Sequence, residues 1–405
     1  MLLEALIFIV VATFILESVL DHLNQKSSEK KPDPLVAHLY NETEHRRSIS
    51  YGYEKYQLGL FSGAVSTTLL VLALALGWFA ELDAWITERV DNSILISLLF
   101  IGALSLLSSL ISLPFGIKST FGIEAKYGFN KVTPRTFVAD IFKGTLVGVA
   151  IGGPLLAAVI WLYERFENQF WLYGWLLVAG FSLFMFMFGT KLILPLFNKI
   201  TPLEDGELKE EIARYCQSQG YSLKNLFVMD GSKRSTKANA FFSGMGKSKT
   251  IVLFDTLIEK LTKDEIVAVL AHEIGHYKRK HTLAMFLASN LQTLAIFALL
   301  GWALQNPEFS QALGADEGKF HLSALAFFIL LTPAQILLGL LNNSISRRNE
   351  FDADNFAAET YKQAPMRSAL SKTSTDSLAN LNPHPLYVAF NYTHPPLVER
   401  LKNVG

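Results

Sequence analysis

Leu270-Ala271-His272-Glu273-Ile274-Gly275-His276-Tyr277-Lys278-Arg279-Lys280-His281 carries two histidines four residues apart with a glutamate after the first, and from 283 to 304 the chain continues as a mostly apolar run. At about 100° of rotation per residue, His272 and His276 stand one above the other on one helical face, with Glu273 at its edge. Such a pair suits a tetrahedral zinc ion, which takes a third protein ligand and, where it catalyses, keeps its fourth position for water. The glutamate is then the base for that water's proton. Thr262-Lys263-Asp264-Glu265 supplies a hydroxyl and two acids where a helix begins. Ile266, Val267, Val269 and Leu270 make that helix amphipathic. Polar groups set into its apolar half are costly unless something pairs with them, and a metal would do so.

Working outward, the 405 residues are 50% hydrophobic and only 18% charged, with 30 Phe, the balance of an integral membrane protein. A net charge of zero gives no sign of a nucleic-acid partner. The single cysteine, Cys216, excludes an internal disulfide and a multi-cysteine zinc module, and reads as a plain helix residue.

A crossing helix takes about 20 mostly apolar residues. Seven stretches qualify: 2–19, 58–79, 94–117, 141–162, 170–194, 283–304 and 321–341. The first lacks a basic leading region and an A-x-A-like cleavage site, so it reads as a retained anchor. Lys26, Lys30, Lys31, Arg46, Arg47 and Lys55 follow the first span, and Lys118, Lys126, Lys131 and Arg135 the third. The links after spans two, four and six hold only Arg89, Arg165 and Lys319. Positive charge marks the cytoplasmic side, so the odd loops, the long fifth loop and the tail are expected there.

The chain thus divides into spans one to five with their loops (1–196), a cytoplasmic loop domain with the motif helix (197–281), spans six and seven (282–342), and a carboxyl-terminal segment (343–405). Within the loop domain, 206–219 patterns as an amphipathic helix and Leu226-Phe227-Val228-Met229 as a buried strand. Apolar runs at 237–243 and 250–254 flank Gly244-Met245-Gly246-Lys247-Ser248-Lys249, which suggests a β-hairpin. Its edge could hold an extended substrate by main-chain hydrogen bonds, or merely support the zinc helix.

The extended H-x-x-G-x-x-H form of the motif fails, because Arg279 and Thr282 stand where its glycine and histidine would be. A third ligand must come from elsewhere. Glu350 and Asp354, in Ser346-Arg347-Arg348-Asn349-Glu350-Phe351-Asp352-Ala353-Asp354, share a helical face beyond span seven. Glu350 could bind the metal while Asp354 accepts the free N–H of a ligating imidazole. A solvated acidic helix is the other reading.

These stretches, with Thr393-His394-Pro395-Pro396-Leu397-Val398-Glu399-Arg400-Leu401, resemble the type I CAAX prenyl proteases, integral-membrane zinc metalloproteases. The resemblance extends to Ser119-Thr120-Phe121-Gly122-Ile123-Glu124-Ala125-Lys126-Tyr127-Gly128-Phe129-Asn130-Lys131, to Pro195-Leu196-Phe197-Asn198-Lys199 and to Lys237-Ala238-Asn239-Ala240-Phe241-Phe242-Ser243-Gly244, nearly the whole chain. It implies an all-α polytopic membrane protein of seven transmembrane helices, with a cytoplasmic gluzincin-like catalytic region containing a small β-hairpin. It also implies one Zn2+ on His272, His276 and Glu350, Glu273 as catalytic base, and Asp354 supporting a ligand. His394 would lie near the reacting water or oxyanion, although it could equally cap the helix that Pro395 and Pro396 begin. Asn239, Ala240 and Phe241 would grip the substrate backbone, and Arg400 would tie its helix to the acids of the site. A water-filled chamber within the helices is implied too, which Glu17 and Lys191 could face, although Lys191 could equally snorkel to the interface.

The expected activity is zinc-dependent endoproteolysis near the carboxyl terminus of prenylated CAAX-type substrates, with peptide or lipidated protein and the lipid bilayer as partners and no nucleic acid. The lack of a basic leading segment, the short link after span six and the compact length give a bacterial look, hence a bacterial inner membrane with the site facing the cytoplasm. Bacteria generally lack prenylated CAAX proteins, so quality control of unprenylated membrane proteins is the alternative. A transporter with a merely structural metal is disfavoured, because a structural site wants four protein ligands.

Overall fold

The computed structural model describes residues 1–221, 225–243 and 250–405, the side chains of 242 and 243 apart. Among the described residues six helices are long and apolar enough to cross a membrane: Leu2–Ser28, Glu42–Ala75, Ser93–Glu124, Pro134–Phe197, His281–Leu304 and Phe320–Thr360. The 64-residue run Pro134–Phe197 is not straight. At Glu167, with φ 22°, it passes through a 3-10 turn, and the Phe166 and Tyr173 rings lie 4.6 Å apart. Seven residues of straight helix would separate them by about 10 Å, so the chain folds back there. The apolar stretches expected as spans fall largely within these helices, but the second helix stops at Ala75 rather than 79, and the fourth and fifth stretches share the run Pro134–Phe197. Several helices nevertheless run further, because caps rather than hydropathy decide where a helix stops. The second starts at Glu42, where Asn41 and Glu44 form a capping box 16 residues before the apolar run.

Only 6–22% of each helix's most apolar window is buried inside the protein. One apolar core nevertheless binds the span-forming helices, built on Leu6, Phe100, Phe170 and Leu322. Beside it a buried polar trio pins three helices together: Ser97 Oγ lies 3.0 Å from His321 Nδ1, and His321 Nε2 lies 2.8 Å from Asp83 Oδ1.

A second core, with Ile212, Leu253, Ile266, Leu270 and Ile274, belongs to the segment outside the spans. The expected helix is there as Glu207–Ser218. Cys216 is buried in that core at 1% exposure. The expected antiparallel strand pair is there too, but not alone. The sheet has four strands, β1 (Ile200–Pro202), β2 (Leu226–Met229), β3 (Ala240–Ser243) and β4 (Thr250–Phe254), in the order β1-β2-β4-β3. β2 and β4 are parallel, and the outer pairs antiparallel. β3 is thus an edge strand and packs along the motif helix. The turn expected over Gly244-Met245-Gly246-Lys247-Ser248-Lys249 lies outside the described residues.

Candidate metal centre

The motif helix is Lys263–Lys278, opened by a capping box between Thr262 and Glu265. The long helix Phe320–Thr360 carries a span at its start and Glu350 and Asp354 near its end. Gly275 allows the two helices to meet: a Cβ there would sit 3.2 Å from Ala353 Cα and 3.1 Å from the Phe356 ring. Ala353, fully buried, lies between Glu350 and Asp354 in sequence, so this close crossing presents both acids to the histidines.

His272 Nε2 and His276 Nε2 face each other at 3.1 Å. Glu350 places Oε1 3.1 Å from His276 Nε2 and Oε2 3.4 Å from His272 Nε2. Two nitrogens on a tetrahedral ion at 2.0–2.1 Å would stand about 3.3 Å apart. His272 Nδ1 turns the other way, 2.8 Å from Asp354 Oδ1, which leaves the Nε2 lone pair pointing inward. Glu350 is 4% exposed, and its Oε2 has no hydrogen-bond donor. Ligand atoms of His272, His276 and Glu350 thus converge within 4.8 Å of one another, the arrangement a divalent cation completes. Burial works against a charge on His272, but Asp354 and Glu350 overcome it and raise the ring to about 9; a metal must displace that proton.

Arg400, on the tail helix Leu397–Asn403, donates from Nε and Nη2 to both oxygens of Asp354 at 2.7 and 2.6 Å. Its Nη2 is also 3.3 Å from Glu350 Oε2. His394 Nε2 lies 3.3 Å from Glu350 Oε1, with the side chain 63% exposed. Its Nδ1 is 2.9 Å from Thr393 Oγ1, and the cap position of the tail helix falls to Pro396, so His394 is not that helix's cap. Partial desolvation where it faces the metal centre holds its pKa down, as does Arg400, although Glu350 pulls it up, so the ring is neutral near pH 7. Glu273 is half-buried on the motif helix, and desolvation raises its carboxyl above the ordinary value. Asn239, Ala240 and Phe241 lie at the start of β3; the Asn239 carbonyl accepts from Phe254 N at 3.1 Å, and Asn239 Oδ1 accepts from Ala240 N.

Three contributions escape a reading of spacing alone. His281 Nδ1 sits 3.1 Å from His276 Nδ1. Arg347 donates to the carbonyls of Val388 and Tyr392 at 3.0 and 2.7 Å. Asn343 donates to that of Phe390 at 2.5 Å. The last two hold the segment before His394 on the long helix. Arg347 and Asn343 stand one and two turns before Glu350, which marks them as neighbours of the ligand but does not identify their partners in the tail.

The fold and this centre define an integral, multi-pass membrane metalloprotease. Residues 21–199 match the family model "CAAX prenyl protease N-terminal, five membrane helices", and residues 202–405 match "Peptidase family M48". The chain is 35% identical to a CAAX prenyl protease 1 homolog of Arabidopsis thaliana, over 99% of this chain and 97% of that protein. It is 34% identical to CAAX prenyl protease 1 of Saccharomyces cerevisiae, over 96% and 92% respectively. The crystal structure of S. mikatae Ste24p superposes with a TM-score of 0.95 at 32% identity, covering 100% of this chain and 99% of that one. The chain belongs to peptidase family M48, in its CAAX prenyl protease type I branch.

Proposed function

We propose that this metalloprotease is a zinc endopeptidase that hydrolyses peptide bonds near the carboxyl terminus of CAAX-type substrates, prenylated ones included. The observation that carries the reading is the convergence of His272, His276 and Glu350 within reach of Glu273 and beside the edge of β3. When bound, the metal supplies Lewis-acid polarisation of the attacking water and of the scissile carbonyl.

The remaining work falls to the chain itself. Glu273 takes a proton from water and returns it to the leaving amine; a carboxyl raised by burial suits both halves of that exchange. His394, neutral and exposed beside Glu350, offers its ring to the developing oxyanion. Asp354 fixes the tautomer of His272, and Arg400 holds Asp354. The free edge of β3 from Asn239 through Phe241 presents main-chain groups to an extended peptide.

Counting the folded run Pro134–Phe197 as two passes gives seven crossings, and the lysine and arginine distribution favours a cytoplasmic site at 197–281 and 343–405. That side, and within it a bacterial inner membrane, is our reading of the charge pattern and the short 305–319 link. Sparse burial in the spans supports walls one helix thick around an open interior. The cleft next to His394 is lined by Thr373, Ser374, Asn380 and Asn391 together with Leu370, Pro395, Pro396 and Leu397, a mixed surface open to peptide and to isoprenoid alike. The second reading is quality-control cleavage of unprenylated proteins.

Purified enzyme given matched farnesylated and unmodified peptides decides between the two. Preference for the farnesylated peptide supports CAAX processing, and equal rates support the broader role. Glu273→Gln with full metal content is expected to cleave neither; retained cleavage would exclude the mechanism.

A further inference from the structure

A second cavity adjoins the metal centre, and two donors that line it, on Gln25 and Lys55, have no hydrogen-bond partner among the described residues. It encloses about 400 Å³, large enough for the end of a peptide. It lies between the adjoining ends of Leu2–Ser28 and Glu42–Ala75, the 377–381 loop and Lys237. Ala379 and Asn380 line both this cavity and the cleft that holds His394 and Arg400. Lys237 stands two residues before Asn239, so the cavity is found where the edge strand begins.

Gln25 is 8% exposed, and its Nε2 is buried with no hydrogen-bond partner. Lys55 makes no hydrogen bond or ion pair among the described residues; its Nζ lies 5.2 Å from the centroid of the Tyr51 ring. Lys237 Nζ lies 5.4 Å from the same centroid, so two ammonium groups crowd one ring. Glu124 answers only one of them. Its carboxylate takes Lys237 at 3.0 Å and the Tyr51 hydroxyl at 2.5 Å. The acid that lines the cavity itself, Asp21, is engaged by the Tyr387 hydroxyl. A buried amide N–H without a partner is costly, and beside it the exposed Lys55 ammonium has no counter-ion within bonding distance. One anion with two oxygens can satisfy both.

We propose that this cavity binds the free carboxylate at the end of the peptide substrate, with Lys55 and Gln25 as anchors. The inference rests on the reading of cleavage near a carboxyl terminus, and it names what measures the cut. A tail fixed here and laid along β3 advances about 3.3 Å per residue. The scissile bond then falls a set number of residues from the chain end. A lipid-headgroup phosphate would satisfy the same donors, but only a peptide joins this cavity to the edge strand and the metal ligands.

The test uses the full-length, metal-loaded enzyme in phosphatidylcholine vesicles with two peptides that differ only in ending as carboxylate or carboxamide. Wild type is expected to favour the carboxylate by about 10–100-fold in kcat/KM. Lys55→Gln is expected to bring that ratio down towards one, and Lys55→Arg to keep most of it. The readout is a ratio within one preparation, so partial misfolding or metal loss lowers both rates together. Equal cleavage of the two peptides by wild type, or an unchanged ratio in Lys55→Gln, overturns the anchor alone. If wild type leaves both intact, the proteolytic reading falls and the anchor with it. A Lys55 effect that shows only as a changed response to added phosphatidylglycerol assigns the cavity to lipid phosphate and also overturns the proposal.

Discussion

Arg400 grips Asp354 through both carboxylate oxygens, at 2.6 and 2.7 Å. The same carboxylate stands 2.8 Å from His272 Nδ1, so a residue near the chain's end sets the orientation of a ring on the motif helix. Asp354→Asn is therefore expected to weaken metal binding by about 10–100-fold, read by titration against a competing chelator. Unchanged affinity would mean that Asp354 only packs.

The helix crossing at Gly275 is similarly exacting. A Cβ there already meets Ala353 and Phe356 at 3.1–3.2 Å, so Gly275→Val must push the long helix, and Glu350 with it, away from the histidines. A displacement of about 1 Å costs about 100-fold in rate. Activity is expected to fall by that order or more, with metal content reduced. Wild-type kinetics in this variant would show that the helices need not meet so closely.

Glu265 gives a pH signature remote from the metal ligands. It is 4% exposed and accepts from Thr262 N, Ser368 Oγ and Lys372 Nζ at 2.8, 2.5 and 2.9 Å. Burial pushes its carboxyl upward, but these bonds prevail and hold it below the ordinary value. A lowered folded-state pKa contributes stability above the unfolded value of about 4.3 and loses it as pH falls through the folded one. Glu265→Gln is expected to cost about 1–3 kcal/mol at pH 7. Its thermal midpoint should change less than that of wild type between about pH 5 and 3. Parallel curves would contradict this.

Cys216 should be inert. Burial pushes its thiol up to about 12, and the thiolate is the reactive form. Iodoacetamide is expected to label it only after denaturation, and Cys216→Ala to retain proteolysis. Rapid labelling of the native enzyme would contradict the burial.

Much of this was legible along the chain because it is local. Apolar length is a property of about 20 successive residues, and the i, i+4 pairs His272/His276 and Glu350/Asp354 follow from helical geometry alone. What sequence hid is non-local. β1 pairs with β2 across some two dozen residues, and neither strand announces its neighbour. The approach of His281 to His276 depends on Lys280 adopting φ 60° between two helices. The hold of Arg347 on the carbonyls of Val388 and Tyr392 depends on how the tail packs. The donor-rich cavity draws Gln25, Lys55 and Lys237 from three separate segments.

Metal content tests the central claim most directly. Wild type, Glu273→Gln and Glu350→Ala are to be purified side by side and analysed by inductively coupled plasma mass spectrometry. The account predicts about one zinc per chain in the first two and a large loss in Glu350→Ala, whose carboxylate supplies the third ligand. Full zinc occupancy in Glu350→Ala, or a wild-type protein that binds no metal, would contradict it.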